Sequence, residues 1–407
     1  LPRLRDHVVP RLMTPSQWDD LAAECQAEAR RAAEEARDQS PGDPATATRF
    51  LFHTPDSPAL VGGARPEGAS LPQEPPGITA AEPVRINMVE AIRRTLAHEL
   101  GAAKGVIVFG EDVGVKGGVH GATRDLALEF GAKRVFDTSL TEEGIIGRAI
   151  GMAVAGLVPV PEIQFRKYAD AAMEQLNDLG TIRWRTAGRF AAPVVVRIPV
   201  GTGRATGDPW HSVSGEAVFA HQPGWRVALP SNAADAVGLL RTALRGDDPT
   251  LFLEHRSLYD AAVARRPYPG DRYMLPFGKA ATARPGTDVT VVTWGALVHT
   301  ALEVAADSDG AVEVLDLRTI VPWDREAVLA SVRLTGRCLV CHEDNRTAGF
   351  GAEIAATVTA EAFEFLDAPV RRLAAADCPV PYSPAMAAGV LPSAASLRSA
   401  VQDILAY

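Results

Sequence analysis

The sequence predicts an α/β protein built on parallel sheets, and three observations carry that prediction. From Val84 onward, segments with helical periodicity alternate with short β-rich runs, the rhythm of strands joined by crossover helices. A second alternating series begins near Val289, after a basic stretch containing Pro267, Pro269 and Pro276 that reads as a joint between domains. The chain has 407 residues, enough for two or three domains with sizeable cores, and shows no short-period repeat.

The first zone, residues 1–44, reads as a helical tail. Thr14-Pro15-Ser16-Gln17 combines an N-cap, a proline at the first helical position and Gln at the third, a capping-box pattern. The helix that follows runs through Arg37. Trp18, Leu21, Cys25, Ala29, Ala32 and Ala36 form one narrow stripe, expected to dock closely on a neighbour. From Pro41 to Pro83, 9 Pro and 5 Gly in 43 residues predict an extended linker, with its core at 45–83.

The first alternating domain is expected over 84–265. Its helices are Met88–Leu100, one opening near Glu142, Tyr168–Ala187 and Asn232–Arg245. Its strands are Gly105–Gly110, Arg134–Asp137, Val158–Ile163, Pro193–Pro199 and Pro249–Glu254. A joint at 266–284 and a second domain at 285–407 follow, the latter with strands at Val289–Trp294, Ala311–Leu317, Arg337–His342 and Ala368–Leu373.

Composition narrows the function. Charged residues make up 22% and the net charge is −9, a balance that repels polyphosphate and argues against nucleic acid. The longest apolar run, Ala149 to Val158, is too short for a membrane helix and ends at Pro159. Four cysteines are too few for a disulfide framework at this length, which fits a reducing, cytoplasmic setting. The chain opens on Leu rather than Met, and its first residues match neither a signal nor a transit peptide; it is expected to begin inside a longer polypeptide.

Ligands of parallel α/β sheets bind at the carboxyl ends of the strands, so loops there are candidates. Val113–Gly121 is glycine-rich but matches no phosphate or dinucleotide fingerprint. Glu142 follows a strand end and opens a glycine-spaced apolar helix, expected to be buried nearly all round. Its carboxylate serves either as a first-turn acid facing the helix dipole or as part of a site. Gly201–Gly215 is a long glycine-rich loop, and its His211 is the best placed of nine histidines for proton transfer, with a solvated loop histidine as the alternative. Cys338-Leu-Val-Cys341-His342 has haem-attachment spacing, but it lies in a predicted strand where residues three apart face opposite ways. No second ligand pair supports zinc either.

Together the motifs resemble a known family. They are Val-Phe-Gly-Glu-Asp-Val (108–113), Arg-Val-Phe-Asp-Thr-Ser-Leu-Thr-Glu-Glu-Gly (134–144), Glu-Ile-Gln-Phe-Arg-Lys-Tyr (162–168), His-Ser-Val-Ser-Gly-Glu-Ala-Val-Phe-Ala-His-Gln-Pro-Gly (211–224), Asp-Leu-Arg-Thr-Ile-Val-Pro-Trp-Asp (316–324) and His-Glu-Asp (342–344). Over Val84 to Tyr407 the chain resembles the beta subunit of the thiamine diphosphate-dependent decarboxylating component of 2-oxo acid dehydrogenase complexes, of branched-chain or pyruvate type. Residues 1 to about 45 resemble the last helical segment of the alpha subunit, as in the rear part of an alpha-beta fusion.

The resemblance implies a transketolase-like pyrimidine-binding domain followed by a transketolase-type C-terminal domain. Glu142 matches the glutamate that hydrogen-bonds the cofactor's aminopyrimidine, where a proton on the ring nitrogen favours the imino tautomer that activates the thiazolium. Leu140 and Tyr168 match positions contacting the same ring, and His211 one that assists acyl transfer to a lipoyl dithiol. Magnesium and diphosphate would be held by the alpha part, since the family's Gly-Asp-Gly motif does not occur here. Arg166 and Lys167 depart from the small or acidic residues of branched-chain relatives. Val194 and Val195 stand where some relatives use a hydroxyl for potassium, which argues against that ion. The implied partners are an alpha subunit or front part, a second copy of the chain and a lipoyl acyltransferase core. Glu-Ile-Gln-Phe leans towards branched-chain substrates. Acetoin dehydrogenase is the enzyme alternative, and a silent assembly module is the reading for the chain alone.

Overall fold

The computed structural model describes residues 1–40, 42–54, 61–62, 79–203 and 207–407. Residues Leu1–Arg49 form one unit and Phe50–Tyr407 another. In the first unit, the predicted helix runs Pro15–Asp38. Its capping box is present: the Gln17 N–H donates to the Thr14 hydroxyl at 3.2 Å and the Thr14 N–H to the Gln17 side chain at 2.8 Å. No residue of this helix is buried within its unit.

Most of the predicted linker, at 55–60 and 63–78, lies outside the described residues. Its described parts in the second unit are held to the domain. The His53 N–H donates to Asp248 at 2.7 Å, Val61 bridges to Phe190, and the Thr79 N–H donates to Asp271 at 2.8 Å.

Among the described residues the second unit carries three sheets. Taken along the chain, the strands are β1 (Arg85–Ile86), β2 (Val106–Gly110), β3 (Val135–Asp137), β4 (Val158–Glu162), β5 (Val195–Val200), β6 (Arg226–Ala228), β7 (Thr250–His255), β8 (Arg266–Pro267), β9 (Ala281–Arg284), β10 (Val289–Thr293), β11 (Val312–Asp316), β12 (Thr319–Val321), β13 (Cys338–Asn345) and β14 (Arg371–Ala375). β1 and β8 form an antiparallel pair. The large sheet has the order β12-β6-β7-β5-β4-β2-β3, and the second β14-β13-β10-β11-β9. Both are parallel except for one antiparallel edge strand each, β12 and β9.

Sequence periodicity located the central strands, because strands buried on both faces are continuous apolar runs. It missed β6, β9 and β12, which are three or four residues long and carry too few apolar positions to show a period. β12 matters most for the architecture: it belongs to the C-terminal half of the chain yet completes the first sheet, pairing Thr319 with Ala228. The apolar core is likewise shared, running from Phe109, Ile146 and Trp225 to Trp294, Leu329 and Val358. A buried side chain of this size contributes roughly 1.5–3 kcal/mol. Among the described residues no helix is long and apolar enough to cross a membrane.

Two further expectations need correction. The helix Glu142–Val154 is not buried all round: Ile145, Ile146, Ala149 and Ala153 face the core, while Glu143, Gly144, Arg148 and Gly151 are exposed. Its glycines gather on the open side and leave a shallow wall. The helix predicted from Tyr168 begins instead as a 3-10 turn, Arg166–Ala172, before Met173–Arg185 continues as α-helix. Ion pairs from Arg166 and Lys167 to Asp170 tie this turn at spacings of four and three. Cys338 and Cys341 behave as the strand reading requires. Cys338 joins the core between the sheets and Cys341 the core on the opposite face, and burial pushes both thiols up to about 12.

Candidate active site

Connections from β2 and β4 leave in opposite directions, so a crevice opens at the carboxyl ends of these neighbours, the usual ligand position in such sheets. β2 ends at Gly110 and delivers Glu111; β4 ends at Glu162. Beneath the crevice lies a sealed ion cluster. Arg197 of β5 donates to both oxygens of Glu254 at 2.7 and 2.9 Å and to Glu162 at 2.7 Å, and the Tyr259 hydroxyl donates to Glu254 at 2.6 Å. Burial alone would lower the Arg197 pKa, but the carboxylates of Glu254 and Glu162 raise it, so the guanidinium stays charged, while burial pushes the Glu162 carboxyl up.

Where the helix after β3 begins, Leu140, Glu142, Glu143, Arg148 and Gln175 line a cavity of about 650 Å³, with Gly144, Gly147 and Ala171 in its wall. Glu142 sits half-buried in the first turn of its helix, where the helix dipole favours a negative charge. Glu111, 5% exposed, keeps one carboxyl oxygen without a partner among the described residues. Burial raises its pKa, and the charges of Glu142 and Asp112 raise it further. Glu111 therefore feels the charge of Glu142 across the site.

The second group is built around His211. Its Nδ1 and its backbone N–H both engage Oδ1 of Asp208, at 2.9 and 2.8 Å, and its Nε2 meets the Tyr168 hydroxyl at 2.9 Å. The ring packs edge-on against Phe165 at 4.3 Å, and Arg256 donates to the His211 carbonyl while lying over Phe165. Burial pushes the Asp208 carboxyl up, but hydrogen bonds from the His211 and Trp210 amides and from the His211 ring outweigh it and hold it below its ordinary value. Close by, His120 packs on Phe165 and Tyr259. Burial, aided by Arg256 and Arg197, lowers it to about 4, so it is neutral at physiological pH.

The structure thus pairs Leu140 with Glu142 and Tyr168 with His211. One turn, Arg166–Ala172, joins the groups by carrying Tyr168 to His211 and Ala171 to the cavity wall. Arg166 is buried, paired to Asp170 beneath Phe219, and fits only because Gly215, at φ +64°, has no side chain; a Cβ there would lie 2.4 Å from its Nε. Lys167 also pairs with Asp170, at 2.7 Å. Sequence reading missed Asp208, Glu111 and Arg256. Asp208 had a usable signal, since an Asp three residues before a loop histidine caps a turn at that spacing. Glu111 and Arg256 gave none.

Comparison with known proteins assigns the chain. The transketolase pyrimidine binding domain family matches residues 84–261 and the transketolase C-terminal domain family matches 278–397. The chain is 43% identical over 305 residues to the pyruvate dehydrogenase E1 component subunit beta of Bacillus subtilis, covering 74% of this chain and 93% of that protein. It is 39% identical over 327 residues to the 2-oxoisovalerate dehydrogenase subunit beta of the same organism, covering 79% and 99%. It is 44% identical over 304 residues to the 3-methyl-2-oxobutanoate dehydrogenase subunit beta of Mycobacterium tuberculosis, covering 73% and 85%. A solved split-gene transketolase, described as an inactive beta4 tetramer, shares the fold with TM-score 0.63 at 22% identity, covering 79% of this chain and 98% of its own. The chain belongs to the family of 2-oxo acid dehydrogenase beta subunits, built from transketolase-type pyrimidine-binding and C-terminal domains.

Proposed function

We propose that this chain is the beta part of a thiamine diphosphate-dependent 2-oxo acid dehydrogenase and holds the pyrimidine half of the cofactor. The observation that carries the reading is the Leu140–Glu142 cavity at the start of the helix after β3, within electrostatic reach of the buried Glu111 carboxyl, one oxygen of which lacks a partner among the described residues. A cavity of about 650 Å³ that offers the Leu140 side chain and the Glu142 carboxylate, with Glu143, Arg148 and Gln175 around them, has room and hydrogen-bonding groups for a flat, weakly basic heterocycle. When bound, thiamine diphosphate supplies the nucleophilic carbon that attacks the 2-oxo group and takes up the electrons freed as CO2 leaves.

The chain's own residues do the rest. Glu142, in the first turn of its helix, hydrogen-bonds the pyrimidine nitrogen and supports a proton there. Leu140 and Tyr168 bracket the ring. His211, oriented by Asp208 and Tyr168, passes a proton during acyl transfer to a lipoyl dithiol. Diphosphate and magnesium fall to an alpha part, which assembles with this chain and a second copy of it, and the acyl acceptor is the lipoyl acyltransferase core. The substrate class is a branched-chain 2-oxo acid. The test uses the assembled alpha-beta enzyme: hydrogen–deuterium exchange at the thiazolium carbon and turnover of a panel of branched-chain 2-oxo acids, pyruvate and acetoin. Fast exchange lost in Glu142→Gln supports the site, and unchanged exchange refutes it. Preference for pyruvate or acetoin refutes the substrate class.

A further inference from the structure

We propose that Glu343 and His255 are positioning residues through which the second sheet sets the place of His211. The inference rests on the reading of His211 as the acyl-transfer histidine and starts from the root of its loop. The loop leaves β5 at Gly201, beside His255 at the end of β7; the preceding residue, Val200, is the register partner of His255. Gly201 adopts φ +71°, and a Cβ there would lie 2.2 Å from Nε2 of His255, so the imidazole lies against the loop backbone.

His255 is 2% exposed, yet both ring nitrogens are engaged. Nδ1 meets the Ser257 hydroxyl at 2.9 Å and Nε2 meets Oε2 of Glu343 at 2.7 Å. Glu343 belongs to β13 of the second sheet, and its other oxygen accepts the Thr202 N–H at 2.9 Å. One carboxylate therefore grips both the first loop residues and the strand end beside them. The residue after His255 completes the chain of contacts. Arg256 donates to the His211 carbonyl and covers Phe165, on which the His211 ring rests. Contacts thus run from Glu343 to His255, along the backbone to Arg256, and on to His211.

A buried histidine–carboxylate contact of this kind is a poor source of stability, because desolvation of the carboxylate offsets what the hydrogen bond gains and apolar residues of like size hold a fold as well. What it adds is direction, and here every hydrogen bond of the pair is spent on one loop and the strand end beside it. Ser257, His255 and Glu343 have the residue types of a hydrolytic triad. His255 is nevertheless sealed from solvent, and Glu343 divides its oxygens between the ring and a backbone amide, an arrangement for holding rather than for proton transfer to a substrate.

The test is a double-mutant cycle in the assembled alpha-beta enzyme, with acyl transfer to a lipoyl domain measured beside reduction of a small artificial acceptor. Glu343→Ala is expected to slow lipoyl transfer about tenfold, leave the artificial-acceptor rate within about twofold, and cost nothing further in a His211→Ala background. Glu343→Gln, which still accepts from Thr202, is expected to recover most of the loss. Additive losses with His211→Ala, equal losses in both assays, or no recovery by Gln would overturn the proposal. Should Glu343→Ala fail to fold, Ser257→Ala, which frees only Nδ1, replaces it with an expected twofold to threefold loss confined to lipoyl transfer; a loss shared by both assays, or none, would overturn the proposal. If His211→Ala leaves lipoyl transfer intact, the functional reading of His211 has failed. Positioning is then decided by amide hydrogen exchange at Thr202 and over 207–215: faster exchange in Glu343→Ala than in the parent supports it, and unchanged exchange overturns it.

Discussion

Asp208 and Glu111 are both carboxylates beside the site, and their surroundings move them in opposite directions. Asp208 belongs to a closed network: two backbone amides and the His211 ring bind it, and it is held below its ordinary value despite burial. Glu111 belongs to an open one. It has an oxygen without a partner among the described residues, and burial together with the charge of Glu142 raises it. The difference teaches where this chain is complete. The histidine half of the candidate site is hydrogen-bonded by the chain's own atoms, while the glutamate half keeps an acceptor open among the described residues.

The largest expected effect breaks the open half. Glu142→Gln should cut decarboxylation by about 10²- to 10⁴-fold while leaving the melting temperature nearly unchanged, because its carboxylate serves the site rather than the core. Thiazolium proton exchange and a thermal melt on the same sample check both parts. A large loss of stability would place Glu142 with the closed half instead.

Next comes Asp208→Ala, which should do the reverse. It removes the acceptor for two backbone amides and the His211 ring, costing about 1–3 kcal/mol of stability and slowing lipoyl transfer more than decarboxylation. Chemical denaturation with both rate assays reads this out.

A subtler test uses pH. A carboxyl lowered on folding stabilises above its unfolded pKa and loses that contribution as pH falls through its folded value, so Asp208 favours the fold at neutral pH. For Glu111 the sign reverses. Raised on folding, it contributes fully below the unfolded value and the contribution is lost as pH rises through the folded one. Glu111→Gln should therefore gain stability relative to the parent as pH climbs from about 4 towards neutrality, and Asp208→Asn should lose it over the acid range up to about 5. Denaturation midpoints measured across pH 3–8 check the opposed slopes, and parallel slopes would remove the contrast. The smallest effect is expected from Tyr168→Phe, which deletes one hydrogen bond to His211 at a cost of about 1 kcal/mol and a few-fold loss in lipoyl transfer. Paired rate measurements would detect it.

These contrasts also explain what was legible in the sequence. Long central strands such as β5 and β7 announce themselves as apolar runs, and Glu142 and His211 stand out in marked local settings, a glycine-spaced helix start and a glycine-rich loop. Tyr168 and Leu140 were found through family likeness rather than through any physical signal of their own. Glu111, Arg256 and Glu343 stayed silent because their importance comes from atoms more than thirty residues away or on another sheet, and no local period records a contact of that range. The exposed face of the Glu142 helix was misjudged for a related reason: glycine and alanine score as apolar, but glycine adds no side chain to bury.

The antiparallel strand β12 has a consequence for how the molecule comes into being. The edge of β6 that it covers is a row of unpaired backbone donors and acceptors until the ribosome has released the chain through Val321. The N-terminal sheet thus cannot close as its own last parallel strand emerges. It must wait with an adhesive edge, through the synthesis of the joint and of β10 and β11, for a segment of the second half. A nascent chain stalled before Thr319 should be captured by holdase chaperones or pair edge to edge with its neighbours on the polysome, and one released past Val321 should not.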